Sequence, residues 1–215
     1  MVIADFNEEA GKEAEKSLKN EGADVLFVKV DVADESSVEN LISETVNAYG
    51  KVDVLVNNAG IGVLAETQDL TYEDYRKVTS INQDGVFFGS KYAIREMVKS
   101  GGGAIVNTAS ILGHVGEPGA FAYNASKGAV NLMTKSLAVE YADKNIRVNA
   151  VCPGYVESGM VNREELGEYY DGLVARHPIG RLGEPEEIAD AILFLSTNKF
   201  VTGTSLLVDG GYTAK

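Results

Sequence analysis

Short apolar runs alternate with longer amphipathic segments along all 215 residues, and this alternation limits the fold more than any other feature. Residues 2–4, 25–28, 52–56, 104–108, 148–151 and 205–208 have the length and β-branched content of strands, with helix-length stretches between them. Strands separated by helices pair in parallel through right-handed crossovers, which cover both faces of the sheet. The expected class is α/β, a doubly wound parallel sheet. Helix boundaries are legible too: Asp34-Glu-Ser-Ser and Thr71-Tyr-Glu-Asp read as capped first turns, and Gly22 and Gly50 stand where helices stop. With 45% hydrophobic residues and no linker or composition shift, residues 1–215 are expected to form one domain.

Charge and composition exclude several function classes. Thirty-two acidic against 19 basic side chains give a formal charge of −13, which repels nucleic acid and anionic lipid. No apolar run is long enough to span a bilayer, and Met1 leads directly into a strand, so a cytoplasmic protein without a membrane partner is expected. The single Cys152 allows no internal disulfide, and His114 and His177 form no metal-ligand spacing, so no metal is expected.

Ligands of such sheets bind beyond the carboxyl ends of the strands. Asp5 ends the first run, where a carboxylate accepts hydrogen bonds from ribose hydroxyls and repels a 2′-phosphate, favouring NAD over NADP; the competing reading is an Asp that starts the next helix. Asp31-Val32 follows the second run and offers a carboxylate for an adenine amino group or, equally, a helix cap. Asn57-Asn58-Ala59-Gly60 allows backbone to approach a cofactor and supplies amides to hold loops.

Tyr123-Asn-Ala-Ser-Lys127 puts a phenol and an ammonium on one helix face, with Ser110 thirteen residues upstream of the Tyr. A phenol titrates near 10, so lowering it by about two to three units needs about 3 to 4 kcal/mol of selective stabilisation, the order that an ammonium about 4 Å away in a cleft supplies. Ser110 is then expected to bond a substrate oxygen, Tyr123 to exchange its proton, and a nicotinamide to exchange the hydride. Asn82 lies in a long helical segment, where it either breaks the ladder and holds a water leading to Lys127 or is an ordinary polar position. Pro153-Gly154-Tyr-Val156-Glu-Ser158 follows the fifth run; the backbone near Val156 could meet a carboxamide, or the segment is a plain strand exit. Cys152 reads as buried filler, His114 and His177 as surface or loop residues, with His114 also a candidate to border the substrate, and Met97, Met133 and Met160 as packing, with Met160 also a candidate for a mobile lid.

Asp31-Val32, Asn57-Asn-Ala-Gly60, Asn82, Ser110, Tyr123-x-x-x-Lys127 and Pro153-Gly154, with Gly180-Arg-Leu-Gly-Glu-Pro and Val208-Asp-Gly-Gly211, occur in the order found in the short-chain dehydrogenase/reductase family, which this chain resembles over nearly its whole length. The resemblance implies a Rossmann-like fold and a catalytic tetrad of Asn82, Ser110, Tyr123 and Lys127, with Lys127 also on the nicotinamide ribose. It implies an NAD site formed by Asp5, Asp31, Val32, Asn58, Ala59, Gly60, Pro153, Gly154, Val156 and Ser158 together with Tyr123 and Lys127. Residues 157–176 correspond to a substrate lid. Family members usually pair the long helices equivalent to about residues 71–100 and 120–143, often forming tetramers with help from the C-terminal strand, so a homo-oligomer is expected. Val86, Phe87, Phe88, Leu132 and Leu137 are candidates for either core or interface.

One departure accompanies the match. Members of that family begin with a strand and a Thr-Gly-x-x-x-Gly-x-Gly turn, and no such turn precedes residues 2–4 here. In the expected strand order 3-2-1-4-5-6, a unit of roughly 30 residues is then missing from the centre of the sheet. That predicts two exposed edges, direct pairing of those edges, a swap between chains or local disorder, and weakened NAD binding. The leading functional expectation is an NAD(H)-dependent oxidoreductase interconverting a small secondary alcohol and a ketone. A 3-oxoacyl-thioester reductase of lipid synthesis and a catalytically silent scaffold are the alternatives.

Overall fold

In the computed structural model, residues 1–158, 161 and 163–214 are described, and of Glu165 the backbone alone. Six strands, β1 (Val2–Asp5), β2 (Leu26–Lys29), β3 (Val54–Asn57), β4 (Gly103–Thr108), β5 (Ile146–Pro153) and β6 (Ser205–Val208), match the six apolar runs to within a few residues. Between them lie α1 (Glu8–Asn20), α2 (Glu35–Tyr49), α3 (Tyr72–Thr79), α4 (Gly85–Ser100), α5 (Phe121–Tyr141), α6 (Arg163–Leu166), α7 (Glu168–Ala175) and α8 (Pro185–Thr197). The caps read from sequence form. Asp34 accepts the Ser36 N–H at 2.9 Å, Thr71 accepts the Asp74 N–H at 3.0 Å, and Gly50 closes α2 at φ 81°.

All ladders are parallel, but they form two sheets, β1-β2 and β3-β4-β5-β6. Their order is that of a 3-2-1-4-5-6 sheet without its central strand, and of the outcomes expected there, two exposed edges is the one found. Among the described residues no strand lies between β1 and β3, and these two do not pair with each other, so each presents an open edge. Val54 and Val56 of β3 remain 46% and 39% exposed, far more than the apolar residues of β4 and β5. The halves are joined by side chains instead: Val30, Val38 and Ile42 pack with Tyr92, Met97, Ile105 and Val148 in one core, and Tyr92 donates its hydroxyl hydrogen to Glu35 at 3.1 Å. The larger sheet is covered on both faces, with Ile105 and Val148 turned to α4 and α5, and Val106 and Val151 packed against Ile188 and Leu195 of α8. No described helix is long and apolar enough to cross a membrane.

A polar chain threads the core beneath the strand ends. Asn57 donates to Asn107 at 2.9 Å and to Ser90 at 3.3 Å, and Asn107 donates to Thr134 at 2.9 Å. Gly89 is required there, because a Cβ would stand 2.3 Å from Asn57 Oδ1. Gly89→Ala should destabilise the fold by about 1–2 kcal/mol net, the clash outweighing the gain in helix propensity. A fall of several degrees in Tm checks this; an unchanged or higher Tm would show that Asn57 yields without loss.

Candidate active site

Three elements bring the predicted side chains together. The segment from Tyr72 to Ser100 is not one helix: it is interrupted by a π-helical turn, Ser80–Asp84, which turns Asn82 inward and buries it fully. Asn82 donates to Ile61 O at 2.9 Å and Ser126 Oγ at 3.1 Å, and accepts the Ile61 N–H at 2.8 Å. It thus ties the loop after β3 to α5. Both amide hydrogens are engaged, neither on Lys127, and one lone pair of Oδ1 is left for a further donor.

Ser110 lies two residues beyond β4 and caps a 3₁₀ turn, its Oγ accepting the Leu112 N–H at 3.1 Å. The same hydroxyl lies beside the Tyr123 phenol and pulls the phenol's pKa down, while burial pushes it up and prevails. The expected lowering of the Tyr123 pKa by Lys127 is therefore corrected. Lys127 stands 5.6 Å from the Tyr123 ring centroid, and its ammonium points at Thr108 O, which it bonds at 2.6 Å. Burial also acts on Lys127 itself, bringing its pKa down to about 8. Both groups are desolvated, so each disfavours its own charged form.

The loop after β3 passes directly over this pair. A Cβ on Gly60 would stand 3.3 Å from Lys127 Nζ and 3.4 Å from Asn82 Oδ1, so glycine is what lets backbone lie so close. Asn58 is exposed and accepts from Thr108 Oγ1 at 3.0 Å; Ala59 beside it is exposed as well. Asp5 and Asp31 sit exposed at the ends of β1 and β2, and each spends one oxygen on a local turn, accepting from Asn7 N at 2.7 Å and Ala33 N at 2.9 Å. Val32 faces inward against Gly85 and the core, a packing position.

Beyond β5 the predictions divide. Gly154 is required by the fold, since a Cβ there would stand 2.8 Å from His177 Nε2 and 3.0 Å from Asp209 Cα. Pro153 is still paired, with Val208. Val156 bridges Gly183, but through Tyr155 O and Glu157 N, which turns its own N–H and C=O away from that bridge. Ser158 exchanges backbone bonds with Val161. Met160 lies outside the described residues. His177 lies in a loop, one of the two readings offered, but not at the surface: it is buried, donates from Nδ1 to Leu173 O at 2.9 Å and accepts the Tyr155 N–H at 3.3 Å. His114 is exposed, with Nε2 3.1 Å from Asn131 Nδ2 and 3.5 Å from the buried Cys152 sulfur, whose thiol burial pushes up to about 11. Cys152 is thus a protonated core thiol at neutral pH.

The geometry is a buried Lys and Ser with a half-buried Tyr at the carboxyl end of a parallel sheet. A family model described as Enoyl-(Acyl carrier protein) reductase matches residues 1–213. The chain belongs to the short-chain dehydrogenase/reductase family. Among relatives of this dehydrogenase/reductase, an NADP-dependent (R)-specific alcohol dehydrogenase of Lentilactobacillus kefiri is 43% identical over all of this chain and 87% of its own length. A cis-4-hydroxycyclohexanecarboxylate dehydrogenase of Sinomonas cyclohexanicum is 44% identical over all of this chain and 86% of its own. A crystal structure of a gluconate 5-dehydrogenase from Burkholderia cenocepacia J2315, in complex with NADP and tartrate, superposes with a TM-score of 0.94 at 34% identity, covering all of this chain and 85% of that one.

Sequence reasoning missed Ser126, Asn107, Thr134 and Asn124 as supports of this dehydrogenase/reductase site. Asn124 donates to Leu112 O at 2.9 Å and Val115 O at 2.7 Å, fixing the loop between Ser110 and Tyr123. An Asn inside the apolar strand Ala-Ile-Val-Asn107 was the available signal, since a buried amide needs partners. The Glu117–Arg176 ion pair, fifty-nine residues apart in sequence, left no local signal.

Proposed function

We propose that this chain is an oxidoreductase that interconverts a small secondary alcohol and a ketone with a nicotinamide dinucleotide, NAD in preference to NADP. The observation that carries the reading is the convergence of Ser110, Tyr123 and buried Lys127 beneath Gly60. The nicotinamide part of the site fits: glycine backbone over Lys127 leaves no side chain in the way of a flat ring or ribose, and the outward-turned Val156 backbone offers a donor and an acceptor to a carboxamide. Asp5 and Asp31 suit the adenosine, each with one carboxylate oxygen still available after its turn. When bound, the nicotinamide would supply hydride acceptance or donation.

The chain's own residues do the rest. Ser110 donates to the substrate oxygen and holds it at the phenol. Tyr123, kept protonated by burial, is set up as the acid that delivers a proton to a ketone oxygen at neutral pH. The reverse direction needs the phenolate and is favoured as pH rises. Lys127, seated on Thr108 O, would hold the nicotinamide ribose, and Asn82 holds the loop that carries Gly60 and Ile61. Homo-oligomer formation is part of the proposal, supported by Phe87 at 50% and Leu132 at 68% exposure on α4 and α5. Val86, by contrast, is core, and Phe88 and Leu137 pack against the core.

Calorimetric titration of NADH and NADPH, paired with reduction of cyclohexanone, tests the reading. Tighter NADH binding is expected, and Asp5→Ser should shift the preference towards NADPH by about tenfold or more, equivalent to about 1.4 kcal/mol. Preference for NADPH in the unsubstituted protein would overturn the role of Asp5, and failure to bind either would favour the silent scaffold.

A further inference from the structure

Glu117 sits midway along the loop from Ser110 to Tyr123, and Arg176 at the end of α7. One Arg176 nitrogen donates to both Glu117 oxygens at 2.9 Å, and the Glu117 side chain is only 13% exposed. The Tyr212 hydroxyl lies beside the same guanidinium. Next to the pair stands an aromatic wall: Tyr155 lies 6.0 Å from Tyr212 and 5.9 Å from His177 between ring centroids, and Tyr155, Tyr212 and Tyr123 all pack against Ile111, Leu112 and Ala120. The charges of Glu117 and Arg176 are felt at Tyr155.

The geometry points to Glu117 as a specificity-determining residue that cancels the charge of Arg176 and so restricts the site to neutral, apolar secondary alcohols and ketones, against those bearing a carboxylate. This rests on the function proposed above. The surroundings agree with it. From Tyr155 to Glu184 the sequence has six carboxylates against three arginines. Each of those arginines is already paired, Arg163 with Asp171 at 2.9 Å, Arg176 with Glu117 and Arg181 with Glu187 at 2.7 Å. An incoming carboxylate therefore finds a neutralised cation and a desolvated acid, while an alicyclic ring finds aromatic and aliphatic surface. Removing the Glu117 charge frees the guanidinium, which suits a carboxylate in a partly buried setting.

The test compares cyclohexanone with 4-oxocyclohexanecarboxylate as substrates, and measures cyclohexanecarboxylate binding by calorimetry. The unsubstituted protein should prefer the neutral ketone by about tenfold or more in kcat/KM, with the difference in KM. Glu117→Gln should lower that ratio about tenfold and bind cyclohexanecarboxylate correspondingly tighter, whereas Arg176→Gln, which leaves the Glu117 charge uncompensated, should raise the ratio. A clasp that merely held the lid would slow both ketones alike and leave the ratio unmoved. Equal use of the two ketones by the unsubstituted protein, or an unchanged ratio and binding in Glu117→Gln, would overturn the inference. If neither ketone is reduced, the proposed function fails, and the calorimetric comparison still decides the charge filter on its own.

Discussion

Tyr123→Phe is expected to lower kcat for ketone reduction by about 10²–10⁴-fold, the range that a positioned general acid contributes. Only a hydroxyl is removed, and the ring keeps its packing against Ile111, Leu112 and Ala120, so Tm and cofactor affinity should stay near those of the unsubstituted protein. The defect should appear in kcat and kcat/KM together, because the proton is transferred only in the transition state. Its pH dependence has a definite sign. Burial raises the Tyr123 pKa, so the phenol is the protonated form at neutral pH, and reduction by the unsubstituted protein should hold its rate there and fall at alkaline pH, a limb that the Phe variant lacks. Steady-state kinetics across pH provide the check; a Phe variant with full kcat would remove Tyr123 from the chemistry.

Lys127→Met should move activity and stability in opposite directions. Activity falls by about 10²-fold or more, since the residue that would seat the ribose next to the phenol is gone. Stability rises. Burial lowers the Lys127 pKa from 10.5 to about 8, so below about pH 8 the folded protein bears the full cost of a buried ammonium, about 3 kcal/mol. Between about pH 8 and 10.5 the unfolded chain binds more protons than the folded one, so the stability of the unsubstituted protein climbs with pH and the penalty vanishes above that window. Losing the bond to Thr108 O offsets part of the gain, leaving about 2 kcal/mol at pH 7 in favour of the Met variant. Denaturant titrations at neutral and alkaline pH should show the two proteins converging as pH rises. A Met variant less stable at pH 7 would mean that the ammonium is better solvated than its burial implies.

Strand positions, helix caps and the Tyr–Lys face were legible in the sequence because each rests on local rules: periodicity, side-chain bonds to nearby N–H groups, and helical spacing. Asp34, Thr71 and Gly50 act over a few residues and do what their types suggest. What escaped were pairings across long sequence separations. His177 looked partnerless because its bonds, one to the nearby Leu173 O and one from the Tyr155 N–H twenty-two residues away, form only once the chain folds back on itself. The direction of the Tyr123 pKa escaped for a different reason. Spacing places Lys127 beside the phenol but does not reveal that its ammonium turns to Thr108 O, nor how completely both groups are desolvated. Gly154 shows the converse: a glycine singled out for its place at a strand end is already required by packing against His177 and Asp209, which the sequence did not show.

The division into two sheets has a mechanical consequence. Asp5 and Asp31 lie at the ends of β1 and β2, whereas Tyr123 and Lys127 lie on α5, which packs on the four-stranded sheet, with side-chain packing rather than a shared ladder between the halves. Opening at that seam breaks no backbone hydrogen bond of a common sheet and is resisted instead by the packing of Val30, Val38 and Ile42 against Tyr92, Met97 and Ile105. A dinucleotide long enough to touch Asp5 at one end and Lys127 at the other would act as a tie rod across the seam, so that part of its binding free energy is spent in clamping the two halves and is returned as resistance to opening.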